Sequence, residues 1–209
     1  MGELLDRYGQ TYAEEIGIRL DDYPASLFQL LTAALLFSAR IGAPQAVRAA
    51  RALLDAGLTT PDKMAAATWE HRVKILNENG YARYDESTAR MLADTCDILQ
   101  EQYGGDLRKL HQQAGGDVDV LRKHLQAFKG IGATGSGIFL REAQAVWTDV
   151  APFVDQKAAK AAQKLGLSGD PQQLFKQVEE KPLQMARLVA ALVRVDLAND
   201  IDSLKPDAR

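Results

Sequence analysis

The chain has a single cysteine, Cys96, among 209 residues. A lone thiol excludes an internal disulfide and cannot by itself build a thiolate metal centre. Histidine is nearly as scarce. His71, His111 and His124 show neither the spacing of a zinc-protease pair nor any other familiar ligand spacing, so no side-chain metal site is expected. No run approaches the roughly 20 apolar residues that a membrane-spanning helix needs. The first residues, Met1 to Arg7, include Glu3 and Asp6 and lack an apolar stretch, so no secretory leader is expected. Positive charge is not in excess either: 25 Lys and Arg stand against 28 Asp and Glu, for a net charge of −3. A phosphate-binding surface would therefore have to be a local feature rather than a property of the whole chain. These absences predict a soluble cytoplasmic protein without a membrane partner.

The chain does have 46% hydrophobic residues, enough for one sizeable core or two small lobes. Their spacing is helical throughout. The pattern predicts helices over 4–16, 25–39, 43–56, 69–77, 86–102, 118–128, 134–146, 156–165 and 182–199, with a helix start at Thr60-Pro61. The 25–39 segment is apolar nearly all round, as in a central buried helix. Period-two alternation is missing, so the fold class is all-α. The tail from Ser203 to Arg209 is charged and predicted to be disordered.

Two short segments carry chemical information. In Phe128-Lys129-Gly130-Ile131-Gly132-Ala133-Thr134, one helix ends in a Gly-Ile-Gly turn and another begins at once. The glycines tolerate positive φ and close approach, and Ile131 can anchor the turn. Such a turn is either a plain helix–helix connection or a cradle of backbone N–H groups for a phosphate. One helix later, Ala151-Pro152-Phe153-Val154-Asp155-Gln156-Lys157 places Asp155 after an extended apolar stretch and at a helix start. There it is a natural N-cap, with or without a further role.

In this order the segments resemble the helix-hairpin-helix DNA glycosylases related to endonuclease III, whose hairpin reads L-P-G-V-G and whose catalytic aspartate follows in V-D-T-H. The counterparts are Phe128-Lys129-Gly130-Ile131-Gly132 and Val154-Asp155-Gln156-Lys157. Upstream, Leu35-Leu36-Phe37-Ser38-Ala39-Arg40 resembles the family's LLSAQ helix end, and Thr95 to Gly105 its TCxxLxxxxxG helix. The likeness runs from about Leu27 to Leu197. It implies a two-lobed helical fold: a six-helix barrel over residues 21–146, and a second lobe from 1–20 plus 147–209, with Asp155 at the cleft between them. It also implies base-excision repair of double-stranded DNA by a monomer, nucleoid-associated if the source is bacterial.

This sequence departs from the family pattern in two places. Bifunctional members carry a lysine where Thr134 stands, so the usual amine for a Schiff base with the sugar is missing. The family's four-cysteine iron–sulfur loop is missing as well. The expectation is a monofunctional glycosylase without a cluster, with a monovalent cation at the hairpin when DNA is bound. A bifunctional glycosylase/lyase using Lys157 and an inert hairpin binder remain the alternatives.

Cleavage of an N-glycosidic bond develops positive charge on the sugar, which a nearby carboxylate stabilises while orienting water; that role falls to Asp155. The resemblance assigns backbone contacts to Lys129, Gly130, Ile131, Gly132, Thr134, Lys157 and Lys160. Filling the gap left by an extruded base falls to Arg40 and to Tyr81, in a loop shared with Arg83 and Tyr84. Each has a plainer reading: Arg40 as a surface arginine, Tyr81 as a loop residue packed on the core, the lysines as a solvated helix face. Phe37 and Ile41 are candidate pocket residues.

Overall fold

A computed structural model describes residues 1–204, and within them every regular element is helical. The expected N-terminal helix is two helices, α1 (Gly2–Tyr8) and α2 (Tyr12–Ile16). Gly9 separates them, its N–H closing α1 on the Leu5 carbonyl at 2.8 Å, where a Cβ would strike that carbonyl. The central helix is α3 (Pro24–Phe37), buried on almost every side through Leu27, Phe28, Leu30, Leu31, Leu35 and Leu36. Next come α4 (Ala43–Asp55), α5 (Pro61–Ala66) and α6 (Trp69–Leu76). The last two are capped by Thr60 and Thr68, whose side chains accept the N–H groups of Lys63 and His71. A π-type turn, Asn77–Tyr81, passes through Gly80 at φ 83° and leads to α7 (Asp85–Tyr103), which Gly104 ends in the left-handed region.

Two helices escaped the periodicity because they are short. α8 (Leu107–Ala114) is capped by Asp106, and α12 (Pro171–Gln177) by Asp170 with Pro171 in its first turn. Between them lie α9 (Val118–Leu125), α10 (Ala133–Ala143) and α11 (Gln156–Lys164). α13 (Pro182–Leu197) is followed by a 3-10 turn, Ile201–Leu204. Ser203 and Leu204 thus belong to a turn rather than to a disordered tail; residues 205–209 lie outside the described residues.

The chain divides into two compact units, 13–139 and 1–12 with 140–209. In the first, α3 packs against α4, α7 and α8. Arg72 is buried there and binds three carbonyls, Ala89 at 3.0 Å, Met64 at 2.9 Å and Ala67 at 2.6 Å. Its charge thereby serves the C-terminal end of α5, where the helix dipole favours a cation. In the second unit α13 is the centre, with α1, α11 and α12 around it. The core there is Leu188, Val189, Leu192 and Val195 of α13 against Ala158, Ala161 and Ala162 of α11. Burying a leucine of this kind contributes about 2 kcal/mol.

The division falls at 12/13 and 139/140, where the sequence suggested 20/21 and 146/147. The polar side chains of 141–144 explain the shift at the second boundary. They bond to Asp155, Tyr12 and Phe153, all of the second unit.

Candidate functional site

The hairpin is built by contacts that only glycine permits. Phe128 and Ile131 are buried and pin the turn. Gly130, at φ 89°, sits so close to α3 and α7 that a Cβ would lie 2.6 Å from Leu35 Cδ1 and would collide with Met91 Sδ. Gly135 abuts Ser38 in the same way. Gly132 differs: it is exposed and a Cβ there would meet nothing within 4 Å. It therefore presents bare backbone to solvent, beside exposed Ala133 and Thr134. The first intrahelical bond of α10 is Ser136 N–H to Gly132 O at 2.9 Å. The amides of Gly132, Ala133 and Thr134 precede the first intrahelical bond on an exposed stretch, as at a helix start open to an anion. Lys129 is 70% exposed and pairs with Asp94 of α7 at 3.3 Å.

Arg40 follows the end of α3 and is exposed. Tyr81 is not available for insertion. It is fully buried, its hydroxyl donates to Leu36 O at 2.7 Å, and burial pushes its pKa up to about 12. The assignment of Tyr81 to gap filling is therefore corrected to a packing role. A kink at Asn79 and Gly80 carries the chain to Tyr81, whose hydroxyl reaches the Leu36 carbonyl of α3, a turn that residue spacing did not announce. The groups that this loop shows to solvent are Arg83 and, partly, Tyr84, with the guanidinium over the ring at 5.4 Å. Phe37 and Ile41 are half-buried.

Asp155 caps α11: Oδ1 accepts the N–H groups of Lys157 at 2.9 Å and Ala158 at 3.1 Å. Its Oδ2 accepts from Nε of Arg141 at 2.7 Å, and Nη2 is ion-paired with the same oxygen at 2.6 Å. The Arg141 side chain is 6% exposed and that of Asp155 15%. Gln144, fully buried just past the end of α10, holds the segment that leads to Asp155. It donates to Phe153 O at 3.0 Å and to Arg141 O at 2.8 Å, and accepts Phe153 N–H at 2.9 Å. Sequence reasoning missed Arg141 and Gln144. The signal was available: three polar residues, Arg141, Glu142 and Gln144, in an otherwise apolar stretch from Ile138 to Trp147. All three are buried, and buried polar groups need partners.

Lys157 and Lys160 are exposed on α11, while Lys164 is tied to Asp196 at 2.6 Å. Among the described residues no cluster of metal-ligating side chains occurs, and no helix is long and apolar enough to cross a membrane. Cys96 is buried in α7 and burial pushes its thiol pKa up to about 12.

No protein-family model matches the sequence, and none of the curated proteins does. Among solved structures the chain is similar to endonuclease III trapped as a covalent intermediate with DNA, an estranged-adenine complex. The TM-score is 0.51 at 17% identity, covering 92% of this chain and 83% of that one. The likeness establishes the architecture: an all-α helix-hairpin-helix fold of the endonuclease III kind.

Proposed function

We propose that the protein is a monofunctional DNA glycosylase that removes a damaged or mismatched base from double-stranded DNA. The observation that carries the reading is Asp155, a carboxylate fixed at a helix start and still partly open to solvent. A rigid anion of this kind stabilises the positive charge that grows on the sugar as the base leaves. The hairpin amides and Lys129 grip phosphate without reading sequence, and Lys157 and Lys160 add charge beside Asp155. Arg40 fills the space of the extruded base. A monovalent cation on the hairpin carbonyls when DNA is bound, a monomeric state and the lack of a cluster complete the proposal.

Thr134 supports the monofunctional form, because a hydroxyl cannot form the imine that lyase chemistry needs. A second reading also has an observation behind it. Both oxygens of Asp155 are engaged and Arg141 offsets its charge, as in a purely structural ion pair. That favours a DNA binder without chemistry.

A panel of labelled duplexes with uracil, oxidised, alkylated and mismatched bases separates these readings. Strand breaks that require hot alkali are expected. Breaks without alkali, with an adduct trapped by borohydride, would place lyase chemistry at Lys157. Binding with no product from any duplex would leave the inert binder.

A further inference from the structure

Asp155 is held by more than the helix it caps. Its carboxylate receives three N–H bonds, from two backbone amides of α11 on Oδ1 and from Arg141 Nε on Oδ2, and Arg141 Nη2 is ion-paired with Oδ2 at 2.6 Å. Donors on both oxygens fix the position and the plane of the carboxylate. Arg141 is the more buried partner, so Asp155 keeps what solvent exposure the pair has. The chain leading into Asp155 is fixed separately, by the Gln144 amide closing on both the N–H and the C=O of Phe153. The same Gln144 amide binds the carbonyl of Arg141, so the two supports are coupled at the C-terminal end of α10.

We infer that Arg141 and Gln144 are the positioning residues of Asp155, and that they hold its carboxylate where it stabilises positive charge on the sugar. The inference rests on the glycosylase reading for its second half only. A carboxylate fixed in this way stabilises a neighbouring cation without giving up any of its bonds. Arg141 acts only through Asp155, as Gln144 acts only through Phe153 and Arg141. A planar guanidinium that donates from Nε while Nη2 pairs with the same oxygen is a geometry that lysine does not reproduce.

The test compares the native protein with Arg141→Gln, Arg141→Lys and Gln144→Glu, using three readouts on protein whose melting curve shows it folded. The first is hydrogen exchange of the Lys157 and Ala158 amides, which needs no substrate. The second is the single-turnover rate of base release, and the third is duplex Kd. In Arg141→Gln, loss of the capping geometry speeds exchange at the two amides by about tenfold, the factor for some 1.4 kcal/mol. The release rate falls about 10²-fold, as for a misplaced catalytic group, while Kd holds within about twofold, the contacts to DNA being elsewhere. Arg141→Lys recovers part of the rate, and Gln144→Glu, which keeps the acceptor but loses the donor, falls between. Unchanged exchange and an unchanged rate in the variants would overturn the inference, as would a rate loss matched by an equal loss of binding. Should the native protein release no base, the exchange data alone decide the positioning role. Faster exchange would uphold it while the glycosylase reading fails, and unchanged exchange would reject both.

Discussion

Asp155 Oδ2 accepts the Nε–H of Arg141 at 2.7 Å and is ion-paired with its Nη2 at 2.6 Å, across 14 positions of sequence and with both side chains largely withdrawn from water. Removing one charge from such a pair leaves the other uncompensated, which costs about 3–5 kcal/mol. Asp155→Asn is therefore expected to lower stability, and Asp155→Asn with Arg141→Gln to regain part of it. Urea unfolding of the two single variants and the double variant measures this. Additive losses would show that the pair is not coupled.

The two hairpin glycines have opposite expected effects. Gly130→Ala puts a methyl group against Met91 and Leu35 at a positive φ, and should destabilise the protein by about 1–3 kcal/mol. Gly132→Ala meets open space, so the melting temperature should barely move. Its new methyl group covers the exposed amides instead, and duplex affinity should fall. A melting curve and a fluorescence anisotropy titration on each variant check both halves.

Lys129 is shared between Asp94 and any phosphate that approaches. The pair is exposed and worth at most about 1 kcal/mol to the fold. Asp94→Asn should leave stability unchanged and strengthen duplex binding. Lys129→Ala should weaken binding and reduce the slope of log Kd against log salt by about one. Titrations at several salt concentrations test the two variants together. An unaltered slope in Lys129→Ala would remove the hairpin lysine from the interface.

The pH dependence of stability has a clear alkaline side. Cys96 and Tyr81 both titrate near 12 in the folded protein, raised by burial from 9.0 and 10.0. Above pH 9 the unfolded chain loses these protons first, so it binds fewer protons than the native state and stability falls as pH rises toward 12. Below pH 9 the two groups are protonated in both states and contribute no slope. Urea midpoints between pH 8 and pH 11 measure the decline, and Cys96→Ala with Tyr81→Phe should flatten it.

Much of this fold was legible in advance. The all-α class, the long helices and the hairpin follow from apolar spacing and from Gly130 and Gly132. Asp155 follows from its place after Phe153-Val154. Short helices such as Leu107–Ala114 were not legible, because two turns give too few apolar repeats to stand out. Tyr81 was misassigned because a tyrosine in a loop looks the same in sequence whether its hydroxyl meets water or the Leu36 carbonyl. Arg141 and Gln144 went unnoticed because their partners lie 14 and 9 positions away, on a segment that only folding brings back to α10.

The central claim is that Asp155 does chemistry as well as cap a helix. The most direct measurement is base release under single-turnover conditions, comparing the native protein with Asp155→Asn at a temperature where both are folded and both saturate with duplex. The account predicts loss of at least about 10²-fold in rate, the scale of one electrostatic catalytic group, with Kd unchanged. Equal rates in the two proteins, or no release by either, would make Asp155 a structural cap and the protein something other than the glycosylase proposed.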